Sequence, residues 1–218
     1  MLLCAALLLA PTAAVGDQES FEILRYRWRL KGVRGAIAGM FLPRQGEGSL
    51  TTAEAPDGSL TSELLITAKA GAAGEFWRYG SELAPGGRRT RRAWSSYLYR
   101  GERKSKETRL DGEDIVDVAS GIYLIRQDPP TEPRRMRIWS DGKLYPVIVL
   151  PLGVETRQAA GGPRRVRHYS IRGVKAAGER YWKGSMDLWL ADDEAATPVE
   201  ILVERSWAGV RLELDAGP

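Results

Sequence analysis

The chain has 218 residues, 32 Lys and Arg against 28 Asp and Glu, a net charge of +4, and 43% hydrophobic residues. That composition fits a folded β-rich domain that needs no staples, excludes a disordered tract, and favours anionic partners. One cysteine (Cys4) and one histidine (His168) exclude a disulfide scaffold, a Cys-ligated metal and a zinc centre built on imidazoles.

Leu2 to Ala10 form an apolar run, followed by Pro11 and the small residues Thr12 to Gly16, and the first ionisable side chain is Asp17. A hydrophobic stretch closed by small residues is what signal peptidase reads. The run is too short for a membrane span, which needs roughly 20 apolar residues. No Lys or Arg precedes it. Residues 1–16 are therefore expected to be an export signal, cut after Ala14 or Gly16. Residues 17–218 are expected to be a single periplasmic domain, thiol-free, monomeric and without a transmembrane segment.

Beyond residue 17 the apolar positions recur every second residue, as in half-buried strands. Phe21 and Ile23, then Tyr26, Trp28 and Leu30, alternate with charged residues. Pro56-Asp57-Gly58 separates the alternating runs 49–54 and 59–69 and predicts a hairpin. Arg100-Gly101 and Asp141-Gly142 punctuate two more pairs, 93–99 with 102–110 and 135–140 with 143–150. Pro146 in the last of these runs predicts an edge position or a bulge. Gly161-Gly162-Pro163 predicts a loop before 165–174. Met186, Leu188 and Leu190 face opposite to Asp187 and Trp189. They form a final hairpin with Val199, Ile201 and Val203, and the run Val210, Leu212, Leu214 closes the chain.

One segment breaks the pattern. Residues 114–126 place Val118, Ile122 and Ile125 at helical spacing, with Asp114 or Asp117 available as a cap and Asp128-Pro129-Pro130 as a stop. The expected fold is mainly β: a single curved antiparallel sheet, half-barrel-like, wrapped around one central helix.

The run Asp117-Val118-Ala119-Ser120-Gly121-Ile122-Tyr123-Leu124-Ile125-Arg126 has the form D-x-x-S-x-x-Y-x-x-R. The stretches Asp141-Gly142-Lys143-Leu144-Tyr145-Pro146-Val147, Leu188-Trp189-Leu190-Ala191-Asp192-Asp193 and Pro198-Val199 follow it in order. Together they resemble the exported bacterial family catalogued as domain of unknown function 3108. The resemblance implies a periplasmic β protein with a helix against a curved sheet, similar to the half-barrels of lipid and lipoprotein carriers. It brings no catalytic residues with it.

Spacing by three keeps Asp117, Ser120, Tyr123 and Arg126 near neighbours on a helix. They could line a cleft in which Arg126 grips an anion and Tyr123 stacks on it. Equally, they could cap the helix and lock it to the sheet. With Tyr145 and Trp189 they make the candidate ligand-binding set. Arg88, Arg89, Arg91, Arg92 and Trp94 form a candidate patch for an anionic partner, or a charged edge strand that resists aggregation. An exported protein would meet lipid, lipopolysaccharide or an acidic glycan there rather than nucleic acid. His168 lies among arginines with no nucleophile elbow. Asp192-Asp193-Glu194 is either a carboxylate pair for hydrolysis or calcium, or a solvated turn. No acid, base or nucleophile stands out, and no cofactor or metal is expected. The favoured reading is a non-enzymatic envelope protein holding an apolar or amphipathic ligand in the concave sheet face. The alternatives are a glycan- or peptidoglycan-associated binding protein or hydrolase, and a structural interaction protein of the envelope.

Overall fold

The structure is a computed structural model that describes residues 20–31, 43–68, 74–159, 161–205 and 208–215; the expected signal lies outside them. Six strands come first: β1 (Ser20–Lys31), β2 (Gln45–Glu54), β3 (Leu60–Ala68), β4 (Phe76–Leu83), β5 (Arg89–Tyr99) and β6 (Glu102–Glu113). A two-residue strand β7 (Ile115–Val116) leads into the helix α1 (Val118–Gln127). The second half is β8 (Arg134–Ser140), β9 (Lys143–Ala159), β10 (Gly162–Gly173), β11 (Ser185–Ala191), β12 (Pro198–Arg205) and β13 (Ala208–Leu214).

Both halves are antiparallel meanders, and two of the hairpins follow directly from their turn chemistry. At Arg100-Gly101 and Asp141-Gly142 both residues have positive φ (50° and 79°, 51° and 79°). That is the two-residue turn whose twist matches its flanking strands. Where a loop was expected at 161–163, β9 and β10 instead pair through to Ala159 and Gly162. Pro146 falls one residue beyond the last β10 partner, Gly173↔Val147, so on that side the missing N–H breaks no ladder.

The first strand then pairs with the last, Trp28 opposite Leu212, and this joins the two meanders into one sheet of 13 strands. The outer strands of that sheet are β6 and β7, which are consecutive in the chain and separated by Asp114 alone. Asp114 takes a left-handed conformation, φ 60°, which an Asp tolerates better than most residues. Its carbonyl accepts the Arg137 amide at 2.8 Å, and β7 pairs parallel with β8. The Thr90 hydroxyl donates to the Ile115 carbonyl. Farther along the seam, Ser95 Oγ and Lys106 Nζ donate to the side chain and carbonyl of Asp141, at 3.0 and 2.9 Å. The half-barrel expected from sequence is therefore a nearly closed barrel, because the chain steps from one sheet edge to the other at a single residue.

The helix begins later than its periodicity suggested, because Ile115–Val116 joins the sheet. It packs against β3 and β4 on one side and β7 and β8 on the other. Its buried stripe of Ala119, Ile122 and Ile125 meets inward residues from around the sheet, among them Tyr26, Leu64, Met136, Val149, Ile171, Leu188 and Ile201. The space left beneath the helix is about 10 Å³, no more than one water probe.

Candidate functional site

The strand directions put the turns at 55–59, 84–88 and 192–197 at one end of the barrel, together with the helix. The turns at 100–101 and 141–142 and the connection 174–184 lie at the other end. Burial along the inward-facing positions falls from the helix end to the far end. On β4, Leu83 and Ser81 are fully buried and Tyr79 and Trp77 half-buried; on β5, Ala93 and Ser95 are buried and Tyr97 and Tyr99 half-buried. On β9, Val149 and Val147 are buried and Tyr145 half-buried. The helix end is thus filled. The far end presents inward-facing aromatics from three strands, with the Trp77 and Tyr99 ring centroids 6.0 Å apart. Trp182, from the connection 174–184, packs on the core nearby. Cations stand on this rim: Lys104 Nζ lies 6.0 Å from the Tyr97 ring centroid and the Arg100 guanidinium 5.3 Å from that of Tyr99.

The fold has a solved counterpart. The chain is similar to a beta-barrel-like protein of domain of unknown function DUF1849 from Brucella abortus, with a TM-score of 0.55 and 8% identity over 88% of this chain and 95% of that one. At that identity the likeness is one of fold. LprF from Mycobacterium bovis aligns over 89% of this chain and 84% of its own, at 12% identity and a TM-score of 0.25, too low to carry an argument. No family model matches the chain, and no curated protein matches it.

The six candidate ligand residues do not converge on one place. Asp117 caps the helix: its carboxylate accepts the Ser120 and Ala119 amides at 3.0 and 3.2 Å, the Ser120 hydroxyl at 2.6 Å and the Ser81 hydroxyl of β4 at 2.7 Å. Ser120 in turn accepts the Asp117 amide at 3.1 Å, completing a capping box. Burial raises the Asp117 carboxyl above the usual carboxylate range, against the pull of these hydrogen bonds. Arg126, its side chain 8% exposed, grips Glu22 of β1 through two bonds of 2.7 and 3.0 Å and donates to the Ala195 carbonyl at 3.3 Å. Tyr123 is half-buried near Gly87, and burial raises its phenol. Asp117 and Arg126 fasten the helix to β4, β1 and the 192–197 turn, while Ser120 completes the cap. Tyr145 faces inward at the far end.

Trp189 faces outward, yet is only 5% exposed. His168 stacks on it with centroids 4.4 Å apart, the Arg157 guanidinium lies 4.2 Å from its ring centroid, and its indole N–H donates to Glu155 at 2.6 Å. His168 also meets Asp187 at 3.2 Å. Glu200 links Arg157 and Arg211 at 2.6 and 3.1 Å. Charge pairs shelter this outer-face aromatic. The 192–194 acids behave similarly: Asp192 pairs with Arg165 at 2.8 Å, and Asp193 pairs with Arg164 at 2.7 Å. Among the described residues no cluster of His, Cys, Asp or Glu could hold a metal ion.

Of the basic patch, Arg88, Arg89, Arg91 and Arg92 are exposed. Arg92 pairs with Glu82 and Glu107 at 3.4 and 3.3 Å and lies 5.3 Å from the centroid of Trp94, whose indole donates to Glu63 at 3.2 Å. Arg91 reaches Glu82 at 3.9 Å. Sequence reasoning missed Trp77 and Tyr79. The signal was there: both share the parity of the buried Ser81 and Leu83.

Proposed function

We propose that this protein is a non-enzymatic envelope protein that holds an apolar or amphipathic ligand at the far mouth of its barrel. We take it to belong to the exported family named above and to work in the periplasm after loss of its signal. The observation that carries this reading is the burial gradient. A side-chain-filled, helix-plugged end gives way to a mouth whose inward positions are the half-buried Trp77, Tyr79, Tyr97, Tyr99 and Tyr145. Rings with polar tips give an apolar wall and a polar rim together. The ligand therefore enters at the mouth and does not run the length of the concavity, since the helix occupies the rest. The chain has no helix long and apolar enough to cross a membrane among its described residues.

Native mass spectrometry of protein purified from membranes should show a bound lipid-sized species. A brominated fatty acid should quench tryptophan fluorescence, and less strongly in Trp77→Phe. A clean apo mass in repeated preparations, with equal quenching in the variant, would refute the reading.

A further inference from the structure

The outer face of β3 to β6 carries a groove of about 570 Å³, within the roughly 300–1,000 Å³ of small-molecule sites. Two rows of side chains cross it: Thr67, Phe76, Leu98 and Arg103 in one, Leu65, Arg78, Ser96 and Ser105 in the next. The dip exists because Ser96 and Ser105 are small, while Leu98 and Arg103 on one side and Trp94 and Glu107 on the other are large. It lies on the outer wall, reaches the far rim at Gly74 and Glu75, and is separate from the inward-facing aromatics of the mouth and from the Arg88–Arg92 stretch.

Its polar groups are incompletely used. Arg103 has no carboxylate partner among the described residues and only rests 5.9 Å from the Phe76 ring centroid. Arg78 holds Glu63 through a single, partly buried contact of 3.3 Å. The Ser96 and Ser105 hydroxyls have no partner among the described residues. Glu75 accepts the Arg100 amide at 3.0 Å through Oε1, while its buried Oε2 accepts nothing among the described residues. A buried acceptor without a protein donor is completed by a donor from water or from a ligand.

A molecule complementary to this set carries an anionic group for the two guanidinium groups, and hydroxyls for the serines and for the Glu75 carboxylate that lines the groove. It also has a carbon face to lie on Phe76 and Leu65. A fatty acid lacks the hydroxyls, and inorganic phosphate lacks the carbon face. We propose that the groove binds a carboxylated or phosphorylated saccharide, with Arg78 and Arg103 on the acid group and Glu75, Ser96 and Ser105 on the sugar hydroxyls. Arginine suits the acid because its planar fork matches a carboxylate or phosphate bidentately.

The test titrates the full mature chain by calorimetry with three probes: a galacturonic acid trisaccharide, the neutral galactose trisaccharide and inorganic phosphate. The acidic sugar should bind at least tenfold more tightly than either other probe. Arg78→Gln with Arg103→Gln should weaken it at least tenfold, and Glu75→Gln should weaken it too. Arg29→Gln, on the outer face of β1, should leave it unchanged. Unaltered melting temperatures would confirm that the variants fold. Equal binding of the neutral sugar, equal binding of phosphate, no binding at millimolar sugar, or indifference to the arginine variants would each overturn the proposal. None of these outcomes bears on the mouth, where lipid binding is read separately.

Discussion

Replacing Asp117 by Ala removes four accepted hydrogen bonds at one fully buried point. The magnitude divides into two parts. Loss of an N-cap costs about 1 kcal/mol. The Ser81 hydroxyl, fully buried on β4, is left without its acceptor, which costs a further ~1–2 kcal/mol. The sum is about 2–3 kcal/mol, or about 4–12 °C in melting temperature for a chain of this length. Denaturant titrations of Asp117→Ala, Ser81→Ala and the double variant separate the parts. In the double variant the Ser81 hydroxyl is no longer there to be orphaned, so it should be less destabilised than the two singles summed, with a coupling of about 1 kcal/mol. A coupling near zero would refute the claim that Asp117 ties the helix to β4. An Asp117→Ala loss below about 0.5 kcal/mol would refute the cap itself.

Asp117 also sets a pH dependence. Its carboxyl is raised in the folded state by burial. Its contribution is therefore fully present below the ordinary carboxylate value and is lost as pH rises through the raised one. The stability of wild type relative to Asp117→Asn should decline as pH rises above the ordinary carboxylate value of about 4, read in denaturant midpoints; a gain would reverse the assignment. Glu22→Ala leaves the Arg126 guanidinium buried with only the Ala195 carbonyl. Because Glu22 is itself 43% exposed, the loss should be about 2 kcal/mol rather than the full cost of a buried pair. Gly46→Ala would put a methyl 1.9 Å from the Thr67 carbonyl and 2.5 Å from the Trp28 indole nitrogen. A loss of about 3 kcal/mol or more is expected in thermal melts, whereas a neutral result would mean that β2 and β3 can part there. Trp189→Phe keeps the stack on His168 and loses the bond to Glu155, and should cost about 1 kcal/mol.

The parts of the fold legible in the sequence are those set by nearest neighbours. Alternation placed Met186, Leu188 and Leu190 on one face and Asp187 and Trp189 on the other, and the barrel puts them inside and outside accordingly. Turn dipeptides located the hairpins, since positive φ at adjacent residues has few sequence solutions. Closure was not legible. It depends on Asp114 adopting φ 60° and on Ser95 and Lys106 meeting Asp141 across a seam, and no local pattern encodes those meetings.

The candidate site shows where period-based reasoning stops. Spacing by three did bring Asp117, Ser120, Tyr123 and Arg126 to one helix, but spacing does not say what faces that helix. Ser81 and Glu22 face it, and they turn a possible anion grip into fastenings. Tyr145 and Trp189 were grouped with the helix by motif order, although the strand parity already separating Trp189 from Leu188 put it on the outer wall. The same parity applied to Trp77, Tyr79, Tyr97 and Tyr99 sends all four inward, on the side of Ser81 and Ser95. Parity shows which face a residue occupies, and distance along the strand from the buried positions shows how near the mouth it lies. For a barrel filled by a helix at one end, those two readings together locate the less buried end better than any motif.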